Sequence, residues 1–245
     1  MIITTTKQAE LNQAINLFAG ATAGIQEKAV SFINGKLTAP AARAFIGLSS
    51  NSKMPAYTFA IPAREACPRG DKLGQIEGTV CFGCYATKGH DAMRPAMNAK
   101  ARRWDVVKLA LESQAVRKLW LKAFVIAMTK ESHFRWHSAG DLFSLEYAEL
   151  VAEACKLTPH VKHWIPTRER RNSAPLLGLA NVVVRVSDDM VNQDNNKHNG
   201  HTSGVHTPEH GGRGQECIAY KQAGSCGDCR ACWSNDVAHV SYKIH

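Results

Sequence analysis

No stretch of this 245-residue chain is apolar for long enough to cross a bilayer, which takes about 20 consecutive apolar residues. The first seven residues, Met1-Ile2-Ile3-Thr4-Thr5-Thr6-Lys7, also lack the basic-then-apolar order of a secretory leader. These absences predict a cytoplasmic protein with no membrane partner. Acidic residues are scarce: 21 Asp and Glu face 30 Lys and Arg, for a net charge of +9. That excess favours anionic partners, nucleic acid among them. Dense basic runs are nevertheless missing beyond Arg102-Arg103 and the group from Arg168 to Arg171, so a merely basic surface accounts for the charge equally well. Hydrophobic residues make up 44% of the chain, ample for the core of one large α/β domain or two small ones.

Cysteine, by contrast, is plentiful and clustered. Seven of the eight cysteines fall in two groups, Cys67-x13-Cys81-Phe82-Gly83-Cys84 and Cys217-x8-Cys226-Gly227-Asp228-Cys229-Arg230-Ala231-Cys232-Trp233. In a reducing cytoplasm such groups point to metal rather than to disulfides. Thiolates at i and i+3 in a Gly-bearing loop converge on one point, which suits a soft metal or an iron–sulfur cluster. The run Cys226-x2-Cys229-x2-Cys232, with Cys217 as a fourth ligand, has the spacing that wraps a [4Fe-4S] cubane. Four thiolates also bind zinc, but three cysteines at successive three-residue steps crowd one small ion. The first group offers three ligands. They leave one iron of a cubane open, unless His90 or a distant residue completes the set. Cys155, alone on an apolar helix face, reads as a buried hydrophobe. The histidines at 198, 201, 206 and 210 read as a solvated polar loop rather than as a metal site.

The remaining pattern predicts an α/β fold. Short Ala-rich helices alternate with glycines in residues 1–50. A strand follows over Tyr57 to Pro62, then the first cysteine loop and amphipathic helices over 92–111 and 114–129. Strands over 133–137, 161–166 and 181–187 then alternate with helices over 142–156 and 169–177. Repeated β-α-β spacing implies parallel strands, in a doubly wound sheet or a partial or complete (β/α) barrel. We expect a barrel-like core over 51–187 and a C-terminal segment over 188–245. That segment starts with a long loop rich in His and Gly and ends in a strand near 237–244.

Chemistry in parallel sheets gathers at the C-terminal strand ends. There the sequence places Arg135 and His137, Thr167, and Arg185 and Ser187. Alternation puts Arg135 and His137 on one side of their strand, with Val182, Val184 and Val186 facing the helices. Arg135, His137, Thr167 and Arg185 are therefore the candidate pocket residues. Ala139-Gly140-Asp141 precedes a helix, with Asp141 its candidate N-cap.

A strand, a three-cysteine loop, a helix and a strand ending in a Gly-acid pair resemble the first half of the radical S-adenosylmethionine fold. Several segments together look like a phage-encoded family of uncharacterised radical-SAM-like iron–sulfur proteins. They are Asn51-Ser52-Lys53-Met54-Pro55, Cys81-x2-Cys84-Tyr85-Ala86, Arg135-Trp136-His137, Gly140-Asp141, Pro166-Thr167-Arg168-Glu169 and the C-terminal cysteine run. The resemblance covers residues 50 to 245. It implies a barrel of radical SAM type, with an open [4Fe-4S] cluster on Cys67, Cys81 and Cys84. Ala139, Gly140 and Asp141 would contact the amine of S-adenosylmethionine, and Cys217, Cys226, Cys229 and Cys232 would hold an auxiliary cluster. An enzyme of this kind takes an electron donor and a substrate that the sequence does not identify. The chain departs from the usual Cys-x3-Cys-x2-Cys spacing and carries Asp141 where glutamate is usual. The alternative is an iron–sulfur or zinc protein without radical chemistry, with a structural, redox-sensing or nucleic-acid-binding role.

Overall fold

The computed structural model describes residues 8–18, 24–35, 37–50, 53–193 and 198–244. Asn51 and Ser52 of the quoted motif lie outside them.

Three helices open the chain: α1 (Gln8–Leu17), α2 (Ile25–Asn34) and α3 (Ala39–Ile46). Helix α3 shows why such a short segment holds. The Thr38 side chain accepts from the Ala41 amide, a proline lies in the first turn, and Gly47 closes the helix at φ 81°. All three bury their apolar faces in the same core as the later helices, through Phe18, Phe32, Phe45 and Ile46.

Four parallel strands follow in sequence order: β1 (Tyr57–Ala60), β2 (His133–Ala139), β3 (Lys162–Thr167) and β4 (Val182–Val191). Between β1 and β2 lie the short α4 (Pro68–Leu73), then α5 (Arg94–Glu112) and α6 (Gln114–Met128). Helix α7 (Leu145–Leu157) joins β2 to β3. Because the strand order never reverses over these crossovers, their like-handed turns send the helices to one face. Trp120, Phe124, Trp136, Val151 and Ile165 fill that layer.

The sheet continues through β5 (Thr202–His206), β6 (Gln215–Glu216) and β7 (His239–Lys243), giving the order β1-β2-β3-β4-β5-β7-β6, every pair parallel. It stays open. Closing a barrel needs a full set of strand–helix units, but among the described residues no α-helix follows α7. The last strands are short, and β7 lies inside β6, so β1 and β6 remain separate edges. The complete barrel is thus replaced by an open sheet, and a doubly wound arrangement is replaced by one with its helices on a single face. The helix expected over 169–177 is only a 3-10 turn at Ala174–Leu176. The His- and Gly-rich stretch expected as a loop supplies the end of β4, all of β5 and β6, and connecting turns.

Without helices on its second face, the sheet uses the C-terminal segment there. Trp233 packs on Trp164, with ring centroids 5.3 Å apart, and donates from Nε1 to the Phe134 carbonyl at 2.9 Å.

Candidate metal centres at the sheet edge and on its open face

The first cysteine loop leaves β1 at the C-terminal edge of the sheet. The 13 residues between Cys67 and Cys81 fold back on themselves: Cys67 begins α4, and the chain reverses beyond Gly74. The returning arm is clamped to the end of β4, where Val80 N donates to the Asp189 carbonyl (2.9 Å) and Val191 N to that of Gly78 (3.0 Å). Cys84 then donates its amide to the Cys81 carbonyl at 3.2 Å, turning the last two thiols together. Gly70 lies in the gap so made. A Cβ there would sit 3.1 Å from Cys67 Cβ and 3.5 Å from Cys81 Sγ.

Burial pushes the Cys67 thiol up to about 12, and the negative charges of Asp141, Cys84 and Cys81 add to the effect. Burial also raises Cys81, against the pull of the Arg168 guanidinium. Neighbouring sulfurs thus add to the cost of charge on Cys67 and Cys81, a condition a bound cation reverses.

Asp141 stands directly behind this loop. It is buried, and accepts from Leu142 N at 2.7 Å, Thr167 Oγ1 at 2.5 Å and Arg168 N at 2.9 Å. Burial raises its carboxyl while these bonds oppose the rise. Asp141 does not cap the following helix: Ser144 does, accepting from Tyr147 N at 3.1 Å. Released from capping, the Asp141 carboxylate ties the ends of β2 and β3 together. Gly140, at φ 85°, passes so close to Ile61 that a Cβ would lie 2.2 Å from Ile61 Cγ1.

The second group lies on the open face. The Cys217 amide donates to Ser241 O at 2.8 Å, and that of Cys226 to Lys53 O at 2.7 Å. Arg230 Nη1 reaches the carbonyls of Gly227 and Cys229, closing the turn between thiols. Cys232 Sγ lies 3.4 Å from the Tyr242 hydroxyl. Burial pushes the Cys232 thiol up to about 11, and Cys217 raises it further, while Arg185 and Arg135 favour its thiolate. Cys226 is raised by burial and by Cys217 and Cys229. Four thiols again share one locality.

In neither place are they drawn around a point. Among the described residues no three His, Cys, Asp or Glu side chains form a converged metal-holding group. The donor chemistry fits a soft metal: all eight cysteines are free thiols, and seven stand in two neighbourhoods joined to the sheet by backbone bonds.

The expected pocket residues separate. His137 does not share a side with Arg135. A bulge shifts the β1–β2 register between Phe59 and Ala60, and His137 takes φ 39°. Its ring turns into the helix layer, 2.7 Å from the Tyr147 hydroxyl, where burial pushes its pKa down to about 3. Thr167 is buried against Asp141. Arg185 does leave Val182 and Val184 to the helical core, as alternation requires. However, its guanidinium donates to the carbonyls of Cys232 (3.0 Å), Ala231 (2.8 Å) and Ser234 (2.9 Å), anchoring the C-terminal loop. Arg135 stacks over Trp164, 4.7 Å from ring centre to Cζ. Both arginines thus belong to the second cysteine group.

Residues that sequence reading overlooked include Arg168, beside Cys81, and Trp164, Trp233 and Tyr242 around Cys232. Alternation along β3 puts Trp164 on the face opposite His163, and that pattern was the available signal. Of the four histidines, His206 and His210 line a polar cavity of about 160 Å³ with Asp188, Arg213, His239 and Ser241. His201 Nε2 instead meets the Asn235 carbonyl at 2.8 Å.

Among the described residues no helix is long and apolar enough to cross a membrane. No curated protein and no solved structure matches the chain. One family model does, over residues 28–235, spanning both cysteine groups and the whole of β1 to β4. That match fits the phage origin expected from the motifs, and the chain belongs to the Gene product 88 family.

Proposed function

We propose that this protein is an iron–sulfur protein with two cysteine centres. Cys67, Cys81 and Cys84 would hold a [4Fe-4S] cluster with one open iron at the sheet edge. Cys217, Cys226, Cys229 and Cys232 would hold a second cluster on the open face. One observation carries the reading: the 13-residue insertion folds back so that Cys67 rejoins Cys81, separated from it by little more than Gly70.

The placement of the first centre, after β1 and beside Asp141, supports a radical-SAM-like enzyme. When bound, the cluster would supply one-electron reduction of S-adenosylmethionine. The chain's own part would be to hold the three thiols at the half-buried sheet edge, with Gly140-Asp141 fixed behind them. The non-catalytic alternative has its own support. Asp141, Thr167 and Arg185 all have internal partners, and His137 is turned into the helix layer. With a charge of +9, that reading leaves nucleic acid as a partner class.

Anaerobic reconstitution with iron and sulfide tests the proposal. We expect about four irons per centre, and stoichiometric zinc without sulfide would end the iron–sulfur reading. Gly70→Val should wedge Cys67 from Cys81 and halve the iron while the helical core folds normally; full iron in that variant would break the assignment of Cys67. Adding S-adenosylmethionine to the reduced protein separates the two functions. A changed paramagnetic spectrum and released deoxyadenosine support the enzyme, and an unchanged spectrum supports the non-catalytic protein.

A further inference from the structure

Beyond α7 no α-helix covers the sheet among the described residues, and over β5 and β7 its helical face turns polar. Strand register carries the side of Val182 and Val184 across Val186 to Gly204 and His206 of β5, and on to His239 and Ser241 of β7. With Asp188 and Arg213, these four residues line a cavity of about 160 Å³. Its rim at His210 and Gly211 is exposed.

Three polar atoms of this lining are unanswered. His206 Nε2, His239 Nε2 and Ser241 Oγ have no hydrogen-bond partner within the chain, and their residues are at most 9% exposed. Buried polar groups left unpaired carry a desolvation cost, and three of them in one cavity call for a ligand. The other nitrogen of each ring is engaged, His206 Nδ1 with the Thr207 carbonyl at 3.1 Å and His239 Nδ1 with the Thr202 hydroxyl at 2.7 Å. A carbonyl only accepts, so the neutral His206 ring carries its proton on Nδ1 and offers Nε2 as an acceptor. Two glycines keep the space clear. A Cβ on Gly212 would overlap Ser241 Oγ and lie 2.8 Å from His206 Nε2; one on Gly204 would overlap Asp188 Oδ2 and lie 3.4 Å from His239 Cε1. Neither glycine has a positive φ, so room rather than backbone conformation excludes a side chain there.

The charges around the cavity balance. Arg213 Nη2 pairs with Asp188 Oδ2 at 2.8 Å. Glu216, outside the lining, takes the Tyr220 hydroxyl and stays 3.7 Å from His206 Nε2. Burial and the Arg213 charge push the His239 imidazole down, against Asp188, so it stays neutral at pH 7. A metal ion would meet Arg213, and no three ligating side chains converge here among the described residues. An anion would meet Asp188. Val205 is the one apolar side chain of the lining, so an aromatic base or an aliphatic chain finds no face to pack on.

We propose that this cavity binds the vicinal hydroxyls of a small polyol, either a free sugar or the ribose of a nucleoside. Each of two adjacent hydroxyls both donates and accepts, which suits a neutral wall built of an acceptor imidazole, a hydroxyl and a guanidinium–carboxylate pair. The size suits one sugar ring, since a cavity of about 150 Å³ takes a single six-membered ring. No cysteine lines the site, so it stands independently of the two cysteine centres.

The ring signals of His206 and His239 in the NMR spectrum of the isotope-labelled full chain read occupancy during titration. D-Ribose, D-glucose and glycerol are the free polyol probes, with adenosine, 2′-deoxyadenosine and inorganic phosphate beside them. We expect a saturable shift with at least one free polyol or with adenosine; a tighter response to adenosine assigns a nucleoside ribose, and a response to free polyols alone assigns a free sugar. Ser241→Ala should weaken that response about two- to tenfold, the effect of one lost hydrogen bond. Gly204→Ala should abolish it by filling the floor, and Ser241→Ala suffices if that variant does not fold. Signals unmoved by every polyol and by adenosine overturn the proposal and leave a cavity that holds water alone. So does a response that Ser241→Ala leaves unchanged. Equal affinity for adenosine and 2′-deoxyadenosine, which lacks the vicinal pair, overturns recognition through hydroxyls, and a response to phosphate alone overturns it in favour of an anion.

Discussion

Gly140→Ala tests how the structure holds Asp141 behind the first cysteine loop. Two costs add at this position. The backbone has φ 85°, where a non-glycine residue costs about 1–2 kcal/mol. The new methyl would also lie 2.2 Å from Ile61 Cγ1 and 3.1 Å from the Ile61 carbonyl oxygen. Ile61 is fully buried and its amide donates to the Ala139 carbonyl at 3.0 Å, so neither group can retreat without opening β1 from β2. Overpacking of this kind costs about 1–3 kcal/mol. The sum of about 2–5 kcal/mol is a large part of the 5–15 typical of a folded domain. With an m-value of about 3 kcal/mol/M, the urea midpoint should fall by about 1 M. Gly178→Ala is the control, since Gly178 has φ 82° but nothing within 4 Å of its Cβ position, and should show the backbone cost alone. Paired urea titrations followed by circular dichroism read both. Equal losses at the two glycines would refute the close approach of Ile61.

Two further outcomes follow from buried groups. Arg185→Met removes the donor to the Cys232, Ala231 and Ser234 carbonyls, leaving groups that cost about 1–3 kcal/mol when unpaired. Limited proteolysis should then cut faster within 217–238 while the helical core resists; unchanged cutting would show that the arginine does not anchor the loop. His137 and His163 are both buried, and burial pushes each down to about 3 from 6.5. The unfolded chain thus binds protons that the folded chain refuses. Stability is complete above pH 6.5 and is lost as pH falls from there towards 3, at up to about 1.4 kcal/mol per pH unit for each histidine. Urea midpoints at pH 7.5, 6 and 5 check the slope, which His163→Gln should reduce; a flat midpoint would contradict both shifts.

Local pattern was a sound guide wherever a short-range rule operates. Period-two alternation located β2, β3 and β4, and put Val182 and Val184 against the helices with Arg185 opposite. Helical periodicity located α5, α6 and α7 to within a few residues, and Trp120, Phe124 and Met128 of α6 lie in the core. The i, i+3 spacing of Cys81 and Cys84, and of Cys226, Cys229 and Cys232, marked both cysteine loops as neighbourhoods of thiols. Alternation failed at His137, because a bulge depends on how β2 meets β1, and the sequence of β2 alone does not record it.

By itself the sequence determined the parallel strands, the helices between them and the two cysteine groups, because hydrophobic period and loop spacing act over a few residues. Only the tertiary structure decided which groups meet. It turned His137 inward, assigned Arg135 and Arg185 to the C-terminal cysteines, engaged Asp141 with β3, and returned Cys67 to Cys81 across thirteen residues. It also left the sheet open, since no α-helix after α7 continues the one-sided winding among the described residues. These outcomes depend on strand register and on contacts between segments up to a hundred residues apart, such as Trp233 on Phe134. Such contacts form only where chain closure entropy is outweighed by burial and paired backbone groups, a balance that belongs to the whole fold.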